Sequence, residues 1–247
     1  MEKIKLGKDV WVGKDEKALV IAEIGSNHGR DLGIAKEMIC AAREAGADIV
    51  KFQLFRAETL YAKTNPAFPI IQENELPFNW LPKLAKCAEE NKVMLTATPF
   101  DKRAVDLLHE INVPFFKWAS PEIHDLPLLA HAASKKRPII LSTGMCNWTD
   151  VQLALDTLSS CENKQAVLLH CVSLYPTTES QVNLRMMDCL RETFALPVGF
   201  SDHTMSTVIA AAAVARGACM IEKHFTLDRK QKQQFWLDLE HVSVCVS

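Results

Sequence analysis

The feature that most restricts the fold of this chain is a regular alternation of short apolar runs and helical stretches. Runs at 19–24, 48–53, 93–98, 114–119, 138–142, 166–171, 197–201 and 219–223 read as strands. Helical spacing fills the intervals at 32–45, 80–91, 102–111, 126–134, 149–159 and 183–193, and in an Ala-rich stretch at 205–217. A helix between consecutive strands makes those strands parallel. Eight such strands with helices outside them predict an α/β chain folded as a (β/α)8 TIM barrel over residues 19–228. An open doubly wound sheet is the alternative; no GxGxxG follows the first strand, and eight strands exceed the usual number. Residues 1–18 read as an N-terminal hairpin or cap, and 55–79 as a long polar connection containing Pro66, Pro69 and Pro77. After Asp228 the pattern fails. Residues 229–247 form an atypical short tail, so the barrel is expected to be incomplete at its eighth helix.

Composition narrows the function classes. A net charge of −2 over 247 residues gives no reason to expect nucleic acid or a membrane surface as partner. No apolar run approaches a membrane span, and no leader is expected ahead of the first strand. The eight cysteines are scattered without a CxxC pair, which fits reduced thiols and a cytoplasmic location.

In a barrel the chemistry gathers at the C-terminal strand ends. Counting alternate residues back from each end gives a ring of polar groups. It contains Glu23, Lys51 and Gln53, Thr96 and Thr98, Lys117 with Ser120 and Glu122, Ser142, His170 with Ser173 and Tyr175, Ser201 with Asp202 and His203, and Glu222 with His224. Asn27 and His28 lie just beyond the first strand. Two lysines buried in such a mouth need an anion, and with Ser and Thr hydroxyls they suit a phosphate or carboxylate. His203 and His224 close neighbouring strands spaced ~5 Å apart, so the pair suits one divalent ion. Two protein ligands leave positions for water or substrate, as a Lewis-acid site requires.

Eight ordered segments then carry a resemblance: 21–28 (IAEIGSNH), 50–53 (VKFQ), 96–101 (TATPFD), 117–122 (KWASPE), 141–145 (LSTGM), 170–176 (HCVSLYP), 199–203 (GFSDH) and 221–225 (IEKHF). Over about residues 15 to 228 the chain resembles the sialic acid synthases, with their legionaminic and pseudaminic acid relatives. The resemblance implies condensation of phosphoenolpyruvate with an N-acylated hexose such as N-acetylmannosamine, giving a nine-carbon 2-keto sugar acid and phosphate. It makes His203 and His224 ligands of Mn²⁺ or Mg²⁺. It makes Lys51, Thr98, Lys117, Ser120, Ser142 and Ser201 phosphoenolpyruvate contacts, and Gln53, Glu122 and Tyr175 sugar contacts. Ser173 stands where the family often has Asn. Glu23 and Glu122 become proton carriers, while Lys51 and Lys117 offset the anionic charge. The family is a swapped homodimer whose C-terminal antifreeze-like domain reaches the partner's site; 229–247 match none of it, so that domain is expected to be missing. An inactive remnant keeping the barrel and the metal and phosphate site, or a metal-dependent aldolase, are the competing readings.

Overall fold

The computed structural model describes residues 3–228. A two-stranded antiparallel hairpin comes first, β1 (Ile4–Lys5) and β2 (Trp11–Val12). Eight strands follow: β3 (Leu19–Gly25), β4 (Ile49–Leu54), β5 (Met94–Pro99), β6 (Phe116–Trp118), β7 (Ile139–Ser142), β8 (Ala166–Cys171), β9 (Val198–Asp202) and β10 (Met220–His224). Their order in the sheet is β5-β4-β3-β10-β9-β8-β7-β6, with parallel ladders throughout. The two end strands, β5 and β6, meet and nearly close the barrel. Across that seam the Thr96 hydroxyl donates to the Phe115 carbonyl at 2.7 Å.

The helices are α1 (Leu32–Glu44), α2 (Ala57–Leu60), α3 (Phe68–Glu73), α4 (Leu81–Glu90), α5 (Lys102–Glu110), α6 (Leu126–Ser134), α7 (Trp148–Ser160), α8 (Met186–Phe194) and α9 (Val208–Ala215). Their starts are written in the sequence. Asp31, Asp101 and Asp125 each accept backbone N–H groups at the first turns of α1, α5 and α6, and Asn147 with Asp150 forms a capping box on α7. The region expected to carry the eighth barrel helix, 229–247, lies outside the described residues.

Strand parity divides the core in two. Outward residues such as Val50, Phe52, Trp118, Leu168 and Phe200 pack against the helices. Inward residues such as Ile21, Ile49, Ile140, Val167 and Met220 fill the lower barrel, and the hairpin plugs that end with Ile4, Leu6 and Val12. The same inward rows continue upward into polar groups, so packing below sets the direction of chemistry above. The connection 55–79 differs from the expected polar loop. It folds into α2, α3 and a 3₁₀ turn, because Phe55, Phe68 and Ile71 form a small buried cluster of their own. Among the described residues no helix is long and apolar enough to cross a membrane, and the seven cysteines are free thiols.

Candidate active site

The inward rows end in a cavity of about 290 Å³ at the C-terminal mouth. Of the residues expected there, Glu23, Lys51, Gln53, Thr98, Lys117, Ser120, Ser142, Ser173, Tyr175, Ser201, His203 and His224 all line it. Glu122 does not. It sits in the 3₁₀ turn Pro121–His124, its carbonyl takes the Trp118 indole N–H at 2.8 Å, and burial with nearby Asp125 pushes its carboxyl up. Thr96 lies deeper and serves the β5–β6 seam.

Two further expectations fail by one step of parity. Val167 and Leu169 point inward, so His170 points out; its Nε2 meets the Val182 carbonyl at 2.7 Å. Cys171 takes the inward place instead, with its thiol 3.3 Å from the Ser120 hydroxyl. Asp202 likewise faces away from the mouth and pairs with Lys223 at 2.6 Å. Asn27 donates to the Phe225 carbonyl, and His28 is sealed beside Phe52 and Trp80. Neither reaches the cavity.

The floor is a buried charge quartet. Lys51 Nζ lies 2.6 Å from Glu23 Oε2 and 3.8 Å from Glu222 Oε2; Lys117 Nζ lies 3.6 Å from Glu222 Oε1. The anion that the buried lysines demand is therefore supplied partly from within the chain. Hydroxyls complete the set. Lys117 donates to Ser142 Oγ at 2.6 Å, Lys51 to Thr98 Oγ1 at 3.4 Å, and Ser201 to Glu222 Oε1 at 2.9 Å. Gln53 donates to Glu23 Oε1 at 3.2 Å.

The environments push the two carboxyls apart. Burial and the neighbouring Glu222 hold Glu23 above the ordinary carboxylate range, against the pull of Lys51. Burial acts on Glu222 too, but Lys117, Lys51 and the Ser201 hydroxyl overcome it and hold the group at about 2. Burial lowers Lys117, while Glu222 and Glu23 outweigh burial and raise Lys51. One carboxyl that keeps a proton readily beside one that does not is an acid–base arrangement. Glu222, expected in the ring on the same row as His224, lines this cavity too.

The two histidines stand above this floor, ring centres 5.7 Å apart, with Tyr175 against both. Two imidazoles sharing one ion at ~2.1 Å place their centres within roughly 6.5 Å of each other, so the spacing fits. His203 Nδ1 meets the Val172 carbonyl at 2.7 Å, which fixes the proton on that nitrogen and turns the Nε2 lone pair away from it. Burial lowers His203, keeping the ring neutral. Among the described residues no group of three or more His, Cys, Asp or Glu is arranged to hold a metal.

The NeuB family profile matches residues 38–234. The chain is 41% identical to the N,N'-diacetyllegionaminic acid synthase of Legionella pneumophila over 88% of its length, and 35% identical to the human N-acetylneuraminate-9-phosphate synthase over 90%. It spans 66% of each of those proteins. The crystal structure of the N-acetylneuraminic acid synthetase of Leptospira borgpetersenii superposes with a TM-score of 0.92 at 33% identity, covering 99% of this chain and 84% of that one. A profile running through most of the barrel, together with relatives and a structure alike along nearly the whole chain, shows that this chain belongs to the NeuB family.

Proposed function

We propose that this barrel condenses phosphoenolpyruvate with an N-acylated hexose of the N-acetylmannosamine type, giving a nine-carbon 2-keto sugar acid and phosphate in the cytoplasm. One observation carries the reading: two buried ammonium groups, five Ser and Thr hydroxyls and two carboxyls of opposite pKa tendency share one cavity with a pair of imidazoles. The relatives named as legionaminic and N-acetylneuraminate-9-phosphate synthases support it.

Lys51 and Lys117 receive the phosphate and carboxylate of the enol substrate, with Thr98, Ser120, Ser142 and Ser201 donating to their oxygens. Gln53, Ser173 and Tyr175 line the same cavity and face the sugar hydroxyls and amide. Held this way, C3 of the enol stands against the aldehyde carbon. The new bond joins those two carbons, the aldehyde oxygen takes the proton held by Glu23, and C2 becomes electron-poor. Water adds to C2 and Glu23 accepts its proton. The C2 hydroxyl of the resulting tetrahedral carbon then passes its proton to the departing phosphate and leaves the ketone. His203 and His224 would hold a Mn²⁺ or Mg²⁺ ion, which supplies Lewis-acid polarisation of the aldehyde oxygen.

Colorimetric phosphate release from phosphoenolpyruvate, N-acetylmannosamine and Mn²⁺ tests the reading. Phosphate that requires both organic substrates supports it. Phosphate without sugar, or none from any mixture, rejects it.

A further inference from the structure

The strand register sets two cross-strand pairs side by side at the ends of β9 and β10. Glu222 lies opposite Ser201, and Lys223 opposite Asp202. The first pair faces the cavity. The second faces away from it and is equally buried, with side chains 6% and 0% exposed. Each member of that second pair immediately precedes a histidine of the mouth: Asp202 before His203, Lys223 before His224.

The contacts of this pair are unusually complete. Lys223 Nζ donates to Asp202 Oδ2 at 2.6 Å, to the Thr204 carbonyl at 2.9 Å and to the Ser206 carbonyl at 3.3 Å, so all three ammonium hydrogens have acceptors. The other oxygen of Asp202 accepts the Thr204 N–H at 2.8 Å. Residues 204–206 are thus folded back onto the end of β10. On the other side of His203, its carbonyl accepts the Thr177 N–H at 2.9 Å and its Nδ1 meets the Val172 carbonyl at 2.7 Å. The backbone on both flanks of His203 is tied down, and the tie on the far flank belongs to the residue next to His224.

A buried ion pair is a poor way to gain stability, because desolvation offsets most of the attraction and apolar pairs of similar volume replace such pairs without loss. An apolar pair, however, would leave the Thr204 and Ser206 carbonyls without their ammonium donor. What this pair supplies is direction. We infer that Asp202 and Lys223 are positioning residues that lock the ends of β9 and β10 together and so fix the separation of His203 and His224 for a shared divalent cation. The inference rests on the metal role given to those histidines above.

The test is Mn²⁺ binding by the full chain without substrates, read from the electron paramagnetic resonance signal of free Mn²⁺ and set beside thermal unfolding without metal. Asp202→Asn/Lys223→Met keeps the side-chain volumes and removes both charges. Because it leaves the Thr204 and Ser206 carbonyls without a donor, it is expected to melt below the parent yet remain folded at the binding temperature, while its Mn²⁺ affinity falls about 10- to 100-fold, the range for groups that orient a ligand. Asp202→Asn alone leaves Lys223 its two carbonyls. It gives the same sign with a smaller change, and it decides the matter if the double variant does not fold. Parent-like Mn²⁺ affinity in a folded variant overturns the inference. Failure of the metal role has a different signature: the parent does not bind Mn²⁺, or His203→Ala binds it unchanged, and either result overturns the inference with it.

Discussion

Replacing Glu222 by Gln isolates the charge balance on which the cavity depends. The carboxylate lies 3.6 Å from the Lys117 ammonium and 3.8 Å from that of Lys51. At an effective dielectric of 20, each attraction is about 4–5 kcal/mol before desolvation is counted. Lys51 keeps Glu23 at 2.6 Å, so the loss falls mainly on Lys117. That ammonium is 2% exposed and is left with two neutral acceptors, Ser142 Oγ and the Trp118 carbonyl. Breaking a buried pair from one side costs about 3–5 kcal/mol, and E222Q should lose about that much in urea unfolding at pH 7. The amide still accepts from Ser201, so the loss reports charge rather than shape. A second measurement separates this account from simple damage. Removing one carboxylate leaves a surplus positive charge facing the cavity, so inorganic phosphate should stabilise E222Q more than it stabilises the parent. Unchanged stability within about 1 kcal/mol, or equal stabilisation of both proteins by phosphate, refutes the reasoning.

Burial and the nearby Arg30 hold His28 at about 4, below its ordinary 6.5. The unfolded chain therefore binds an extra proton between those values. Stability from this residue is present above 6.5 and is lost as pH falls toward 4, by up to roughly 3 kcal/mol. His28→Asn should flatten that part of the stability–pH curve; an unchanged slope contradicts it. Gly199→Ala would place a methyl 2.5 Å from the Met220 carbonyl and 2.7 Å from Leu169 Cδ2. The carbonyl belongs to β10 and cannot yield, so chemical denaturation should show a loss at or above the upper end of ~1–3 kcal/mol; a silent substitution contradicts the packing. His224→Ala should abolish Mn²⁺ binding and Mn²⁺-dependent turnover while the chain stays folded, and retained binding removes His224 from the ion's ligands.

The barrel was legible because its period is written in the chain twice, as alternation within strands and as repetition of strand and helix. Lys51, Gln53, Thr98, Lys117 and Ser142 could be placed in the mouth by counting back from strand ends, since the rows of Lys51, Lys117 and Ser142 begin in apolar Ile49, Phe115 and Ile140 and the others follow by parity. The count failed at His170 because a histidine draws more chemical notice than the neighbouring Cys171, whereas Val167 and Leu169 on the same inward row were the better guide. Glu122 was counted into the ring beyond the end of the strand that carries Lys117, and the 3₁₀ turn at Pro121–His124 takes it out of the cavity. The cluster of Phe55, Phe68 and Ile71 was hidden because short helices around prolines leave no periodic trace. Ion-pair partners were beyond reach for another reason. Glu222 meets two lysines from distant strands, and only closure of the sheet brings them within 4 Å.

The central claim is that one cavity joins the enol carbon of phosphoenolpyruvate to a sugar aldehyde. Carbon-13 NMR of the products from phosphoenolpyruvate labelled at C3, mixed with N-acetylmannosamine and Mn²⁺, tests it most directly. The account predicts the label at the methylene next to the ketone carbon of a nine-carbon acid, with phosphate released in equal amount. Label found only in pyruvate, or remaining in phosphoenolpyruvate, would contradict it.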